Sequence, residues 1–127
     1  MILIKDNHIR AAGGIDKAIG KAKRRASFSK KIEIEVSSAE DALKAAKAGA
    51  DIILLDNFSL DQATKACALL RKTESQRRIL IEASGGITAE SIVRYASTGV
   101  DVVSLGEITE SPKALDVNLK ITKTNEE

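Results

Sequence analysis

The sequence is poor in aromatic residues: none of its 127 residues is tryptophan, one is tyrosine and two are phenylalanine. Surfaces that bind single-stranded nucleic acid rely on aromatic side chains that stack on bases, so we expect no nucleic-acid partner. With 43% hydrophobic residues, the chain has enough apolar side chains for the core of one domain, and Ile, Leu, Val and Ala must build that core.

The sequence also lacks the cysteines for a disulfide and any long apolar run. Its single cysteine, Cys67, lies in the helical pattern KACALL, where a small buried side chain is the preferred interpretation. No run approaches the roughly 20 apolar residues of a membrane span, and the start MILIKDNHI does not have a secretory layout. The net charge of +2 is small. We therefore expect a cytoplasmic protein with no membrane partner.

Short apolar runs alternate with segments in which apolar residues recur at helical spacing. The runs are ILI, IEIEV, DIILL, ILIEA and VDVVSL, and the helical segments are residues 15–28, 39–47, 60–72 and 88–97. Alternation of this kind predicts an α/β fold with a parallel sheet, whose ligands bind beyond the carboxyl ends of the strands.

The number of strands is too small for a closed barrel, which uses about eight strands and about 250 residues. A further strand is expected within residues 113–121, where apolar and polar residues alternate. We therefore predict an incomplete parallel (β/α) TIM-like barrel of about five to six strands with intervening helices. The first residues already form a strand, so this is either a piece of a longer polypeptide or a half-barrel completed by another copy.

Charged residues lie at the ends of the first three strands. Lys5 directly follows the first strand, where its ammonium would bind an anionic substrate or, as the alternative, reach solvent. Glu33 and Glu35 share one face of the second strand, which must point into the barrel. Asp56 ends the third strand and would flank the same pocket as Glu35. The alternative for Asp56 and Asn57 is a helix cap.

Other polar residues near the strands have simpler interpretations. The residues after Lys5 favour a turn, and His8 has a structural role, since a lone histidine is a poor metal site. The basic clusters all precede strands, so we expect a solvated rim at the opposite end of the barrel, with subunit contacts or a distant carboxylate partner as the alternative. The clusters are Lys21 with Lys23, Arg24 and Arg25, then Lys30 with Lys31, and Arg77 with Arg78.

Two consecutive strands end in glycine turns. Ser84, Gly85 and Gly86 follow the fourth strand and precede a helix, and Gly106 follows the fifth. Backbone N–H groups at such turns favour a phosphate, and paired turns after the last strands of a (β/α) barrel form its recurrent phosphate site. The pair predicts a phosphate ligand more strongly than either turn alone.

Six strings in order resemble the carboxyl-terminal barrel domain of quinolinate phosphoribosyltransferase, also called nicotinate-nucleotide pyrophosphorylase (carboxylating). They are LIKDNHI, IEIEVSS, GADIILLDNF, EASGGI, YASTGVDVVSLGEIT and ALDVNLKI, and they span nearly all of residues 1–127. The resemblance implies that an amino-terminal domain and the first barrel strands are absent from this chain. It also implies a homo-oligomer, since full-length members form dimers or hexamers.

The same resemblance implies an activity and roles for the site residues. Members transfer the phosphoribosyl group of phosphoribosyl pyrophosphate to quinolinate with loss of CO₂, which yields nicotinate mononucleotide for NAD biosynthesis. Lys5 would contact anionic substrate. Glu35 and Asp56 would hold the ribose hydroxyls or the Mg²⁺ that accompanies pyrophosphate. Ser84, Gly85 and Gly106 would cradle the 5-phosphate.

Two departures from the family keep alternatives open. Glu110 stands in ITES, where the family places a basic residue in a string like LTHS, and the His-Arg pair that grips the quinolinate carboxylates before KDNH is missing. The favoured hypothesis is a catalytic portion that is inactive alone. A related pyrophosphorylase-like paralogue with another acceptor, such as that associated with molybdate transport, and a non-catalytic phosphate-binding half-barrel are the alternatives.

Overall fold

The computed structural model describes residues 1–73, 79–106 and 118–120, and five parallel strands form one sheet in chain order. The strands are β1 (Ile2–Ile4), β2 (Ile32–Val36), β3 (Ile52–Asp56), β4 (Leu80–Ser84) and β5 (Val102–Val103). All five expected strands are confirmed, although β5 is shorter than the apolar run that predicted it. Of the expected sixth strand, only residues 118–120 are described, and they do not form a strand.

In the described residues, five helices lie between consecutive strands. They are α1 (Asp6–Ala12), α2 (Ile15–Arg25), α3 (Ala39–Ala48), α4 (Leu60–Thr73) and α5 (Ile92–Ala96). Within the described residues, no helix has the length and apolar character needed to cross a bilayer.

The helices cover one face of the sheet, which we call the outer face. Side chains alternate between faces along a strand, and register brings Ile34 of β2 beside Ile53 of β3 and Ile53 beside Ile81 of β4. All three are fully buried. They pack with small residues of the helices, among them Ala42, Ala45, Ala63 and Ala66. The core predicted from Ile, Leu, Val and Ala is confirmed, and buried Cys67 belongs to it.

The residues between these core positions form the inner face: Leu3, Glu33, Glu35, Ile52, Leu54, Asp56, Leu80, Glu82, Ser84 and Val102. Leu3, Leu80 and Val102 stay partly exposed, at 37%, 36% and 40%. The described helices therefore leave one side of the sheet for other groups to cover.

The turn expected after Lys5 is wrong, because helix α1 begins there. The Lys5 backbone N–H donates to Nδ1 of His8 at 3.0 Å, which satisfies a group at the helix start and gives His8 its structural role. Gly13, with φ of 80°, ends α1. Helix α2 then begins at Ile15 as expected but ends at Arg25, so Phe28 lies beyond it and is fully exposed.

The helix expected at residues 88–97 is shorter than predicted. A turn comes first, in which the Thr88 backbone N–H donates to Oγ of Ser91 at 3.0 Å, and α5 spans only Ile92–Ala96. The glycine turn of Gly85 and Gly86 therefore does not run straight into a helix N-terminus.

Two aspartates join the amino ends of neighbouring strands by hydrogen bonds to the backbone. Oδ2 of Asp51, just before β3, accepts the Ile32 backbone N–H at 2.8 Å, and Oδ2 of Asp101, just before β5, accepts that of Ile81 at 2.8 Å. Each also forms an ion pair, Asp51 with Lys31 at 3.5 Å and Asp101 with Arg71 at 2.6 Å. The Lys31 side chain is 69% exposed, as expected for a solvated rim at this end of the sheet. Arg77 and Arg78 lie outside the described residues.

Candidate functional site at the carboxyl ends of the strands

Lys5, Glu35 and Asp56 line one cleft of about 710 Å³ at the carboxyl ends of β1, β2 and β3. Nζ of Lys5 lies 3.7 Å from Oε2 of Glu35, in an ion pair whose lysine side chain is 56% exposed. The structure therefore brings these three predicted residues together. Their catalytic roles stay predictions.

Glu35 carries an electrostatic conflict. Burial raises its pKa above 4.5, the nearby Asp56 raises it further, and Lys5 opposes both effects. The carboxylates of Glu35 and Asp56, on adjacent strands, thus repel each other, and a cation or a set of hydroxyl donors in the cleft would stabilise the charged form of Glu35.

The residue after Asp56 holds its carboxylate in place. Asn57 has φ of 56°, a left-handed conformation that asparagine tolerates. Its Nδ2 donates to Oδ2 of Asp56 at 3.0 Å, and its backbone N–H donates to the Ser84 carbonyl at 2.9 Å. Asn57 therefore links the end of β3 to the end of β4.

The proposed cap at Asp56 or Asn57 is wrong, because Ser59 occupies the position before α4. The Gln62 backbone N–H donates to Oγ of Ser59 at 3.3 Å, and Oε1 of Gln62 accepts the Ser59 backbone N–H at 2.8 Å. This reciprocal pair is a capping box. It leaves the Asp56 carboxylate directed to the cleft.

Gly85 is required by a close approach of two loops. Its φ is 90°, and a Cβ at this position would lie 2.8 Å from the Asn57 backbone nitrogen and in contact with Oδ1 of the same residue. Gly86 also has a positive φ of 61°, but apart from its chain neighbours no atom of the described residues lies within 4 Å of its Cβ position. The first glycine therefore has a packing role in addition to any role in phosphate binding.

The predicted phosphate residues do not line the cleft itself. Ser84 is the register partner of Asp56, and Gly85 touches Asn57, so both lie beside it. Ser84, Gly85 and Gly106 are not among the described residues that line the cleft, and Gly106 is exposed at the end of a described segment. Their binding of the 5-phosphate stays a prediction, and Glu110 lies outside the described residues.

Several cleft residues were not expected from the sequence. Asn7 and Arg10 of α1 line the cleft, and so do Asp41 of α3 and residues 118–120. Nδ2 of Asn7 donates to the Leu119 carbonyl at 2.5 Å. Asn7 and Arg10 are three residues apart, which places them on the same side of a helix. Because the composition of this segment predicts a turn, this spacing did not identify them as cleft residues.

The donor set fits Mg²⁺ that arrives with a diphosphate better than a resident metal. No group of three or more His, Cys, Asp or Glu side chains gathers in the described part of the chain. Mg²⁺ in phosphate-transferring sites is held by one or two carboxylates plus phosphate oxygens. Glu35 and Asp56 offer that number of carboxylates.

The family model described as quinolinate phosphoribosyl transferase, C-terminal domain, matches residues 1–120. The chain belongs to this family. The expected resemblance is thereby confirmed, and so is the TIM-like α/β fold.

Similar proteins carry names that agree with this family. The chain is 46% identical over 120 residues to a probable nicotinate-nucleotide pyrophosphorylase [carboxylating] of Archaeoglobus fulgidus, a match covering 94% of this chain and 45% of the relative. It is 40% identical over 121 residues to the human nicotinate-nucleotide pyrophosphorylase [carboxylating], covering 95% and 40% of the two chains. The chain thus spans less than half the length of these curated relatives.

A solved structure shows the same arrangement. NadC from Streptococcus pyogenes superposes with a TM-score of 0.77 and 45% identity, over 91% of this chain and 39% of that one. The thiamine phosphate pyrophosphorylase of Pyrococcus furiosus, at 24% identity and a TM-score of 0.56, shares the fold alone. Over most of its length, the chain therefore shares the fold of the Streptococcus pyogenes protein.

Proposed function

We propose that this chain is the carboxyl-terminal portion of an enzyme that transfers a phosphoribosyl group from phosphoribosyl pyrophosphate to quinolinate. The ring nitrogen of quinolinate forms a bond to the anomeric carbon while the bond to pyrophosphate breaks, and the 2-carboxylate leaves as CO₂ with a proton taking its place. The products are nicotinate mononucleotide, pyrophosphate and CO₂. Family membership and the names of the relatives support this proposal.

The single observation that carries the proposal is the meeting of Lys5, Glu35 and Asp56 in one cleft. The ammonium of Lys5 binds an anionic group of a substrate. The two carboxylates accept hydrogen bonds from ribose hydroxyls and stabilise positive charge on the ribose as the bond to pyrophosphate breaks. The same carboxylates would hold Mg²⁺, which neutralises charge on the pyrophosphate when bound. Burial of Glu35 strengthens these interactions because less water screens them.

Ser84, Gly85 and Gly106 are proposed to bind the 5-phosphate at the edge of this cleft. The Gly85 loop touches Asn57, which in turn holds Asp56. A phosphate at the loop would therefore lie close to the ribose carboxylates. In this proposal the complete protein is a homo-oligomer, and the chain alone does not turn over substrate.

The test compares this chain with a joined protein, in which the part of the Archaeoglobus fulgidus relative that the match leaves uncovered precedes Met1. Product formation from quinolinate and phosphoribosyl pyrophosphate is measured with Mg²⁺ for both. We expect activity in the joined protein and none in the chain alone. Joined protein that binds phosphoribosyl pyrophosphate but forms no product would contradict the quinolinate assignment and favour a paralogue with another acceptor.

A further inference from the structure

The inner face of the sheet has a row of side chains below the cleft that the proposed reaction does not use. Register places Leu3 of β1 beside Glu33 of β2, Glu33 beside Ile52 of β3, and Ile52 beside Leu80 of β4. Glu33 is thus a carboxylate with apolar neighbours on both adjacent strands. It lies one row below Glu35, further from the cleft.

Glu33 is buried without a partner for one of its oxygens. Its exposed fraction is 3%, and within the described residues Oε2 has no hydrogen bond. Burial raises the pKa of Glu33, and so do the negative charges of Glu82 and Glu35. A buried carboxyl group normally has a partner, because leaving it unpaired costs stability.

Glu82, whose negative charge also raises the pKa of Glu33, is already partly satisfied. Oγ of Ser104 donates to its Oε1 at 2.5 Å. Glu82 stands in the row of Glu35, with Leu54 between them. The inner face therefore presents two carboxylates, Glu33 and Glu82, with no described cation between them.

The charge of the inner face indicates what covers it. Its strands carry Glu33, Glu35, Asp56 and Glu82 and are followed by one lysine, Lys5. A second copy of the same face would bring like charges together, so it is a poor partner. The partly exposed Leu3, Leu80 and Val102 call for apolar contacts. The occupant is thus an apolar protein segment that also carries a positive charge.

We propose that a lysine or arginine from the polypeptide segment that closes the barrel enters the inner face and pairs with Glu33 and Glu82. The inference rests on the proposed function, since it takes this chain to be the carboxyl-terminal portion of a longer protein in which another segment closes the barrel. Glu33 is then a positioning residue. It fixes the closing segment beneath the cleft without touching substrate.

The first experiment measures unfolding by urea in the joined protein, so that loss of activity has no bearing on the result. Glu33→Met keeps the size of the side chain and removes its charge, which takes away one of the two carboxylate partners of the buried cation. We expect the urea midpoint to fall by about 1 M or more. Glu40→Met, the same change at an exposed position of α3, should move it far less.

In the isolated chain, we expect Glu33→Met to have the opposite effect on the urea midpoint. Among the residues that the structure describes, none supplies a cation to Oε2 of Glu33, so Glu33→Met should raise the midpoint of the isolated chain. An equal or higher midpoint for Glu33→Met in the joined protein would overturn the proposal. If the isolated chain shows no cooperative transition, the joined protein alone decides. A fall in wild-type stability with chelator that Glu33→Met abolishes would also overturn it, since the cation would then be a metal ion.

A second experiment introduces a cation next to Glu33 on the inner face of the isolated chain. Leu3→Lys sets an ammonium beside Glu33 on the adjacent strand. We expect Leu3→Lys to raise the midpoint when Glu33 is present and not in the Glu33→Met background. Equal effects in the two backgrounds would show that Glu33 does not accept a cation and would count against the proposal.

Discussion

Asp51 and Asp56 lie at opposite ends of strand β3 and have different roles. Asp51, at the amino end of β3, accepts the Ile32 backbone N–H and pairs with Lys31. Asp56, at the carboxyl end, has a hydrogen bond from the side chain of the next residue and opens onto the cleft. Carboxylates at the amino end thus hold strands together. Those at the carboxyl end remain able to bind a ligand. Mutation at the amino end should therefore lower stability, whereas mutation at the carboxyl end should lower activity.

The largest expected effect is loss of activity at the carboxyl end. In the joined protein, Asp56→Asn should lower kcat/KM for phosphoribosyl pyrophosphate by about 100- to 1000-fold, because charge on the ribose loses its partner. The urea midpoint should stay nearly constant, since no backbone N–H bond is lost. Asp61→Asn, on the exposed surface of α4, is the matched control. Full activity in Asp56→Asn would remove Asp56 from the site.

The next effect is loss of stability at the amino end. Asp101→Ala removes the acceptor of the Ile81 backbone N–H and the partner of Arg71. We expect the free energy of unfolding to fall by about 2–4 kcal/mol, measured by urea denaturation of this chain. Asp61→Ala serves as the control. Equal stability losses in these two variants would mean that the amino-end aspartates do not fasten the strands.

Gly85 gives a third test, which separates packing from backbone conformation. In Gly85→Ala, the new residue has an unfavourable positive φ and its side chain also clashes with the Asn57 backbone. In Gly86→Ala, the new residue has the unfavourable φ without such a clash. We expect Gly85→Ala to cost about 1–3 kcal/mol of unfolding free energy and Gly86→Ala to cost less. If Gly86→Ala is the more harmful change, the contact between the two loops does not explain Gly85.

The pH dependence of stability tests the crowding at Glu35. Its folded-state pKa is raised above 4.5, so the folded chain holds this proton more tightly than the unfolded chain. The free energy of unfolding should therefore decline as pH rises from 4.5 through the folded-state pKa. Urea midpoints of wild type and Glu35→Gln, measured side by side, should diverge in favour of Glu35→Gln. A divergence in the other direction would show that Lys5 dominates.

The smallest expected effect concerns Lys5. Its ion pair with Glu35 is exposed on the lysine side, so Lys5→Met should change the free energy of unfolding by at most about 1 kcal/mol. Binding of phosphoribosyl pyrophosphate to the joined protein, measured by calorimetry, should weaken clearly. Lys65→Met on α4 provides the control. Unchanged binding would mean that Lys5 faces solvent.

Apolar periodicity was enough to predict the strands and the cleft residues on them. Because side chains alternate along a strand and parallel strands align their carboxyl ends, Glu35 and Asp56 had to meet near Lys5. The burial of Glu33 followed from the same alternation. These features depend on local spacing, which a single sequence carries.

Features set by contacts between loops were not predictable in this way. Helix α1 begins at a hydrogen bond from the Lys5 backbone N–H to His8, in a segment whose composition favours a turn. Asn57 was interpreted as a cap, although its left-handed backbone and its bond to the Ser84 carbonyl serve the site instead. The bonds of Asp51 and Asp101 depend on register between strands far apart in the chain.

The hydrogen bond between Asn7 and Leu119 joins residues 112 positions apart. Synthesis on the ribosome adds about 5–20 residues per second from the amino end, so the strands that supply Lys5, Glu35 and Asp56 exist before the last wall of the cleft has been made. The nascent chain therefore acquires the wall formed by residues 118–120 after the other described residues of the cleft. Premature termination before this point would remove that wall from the cleft.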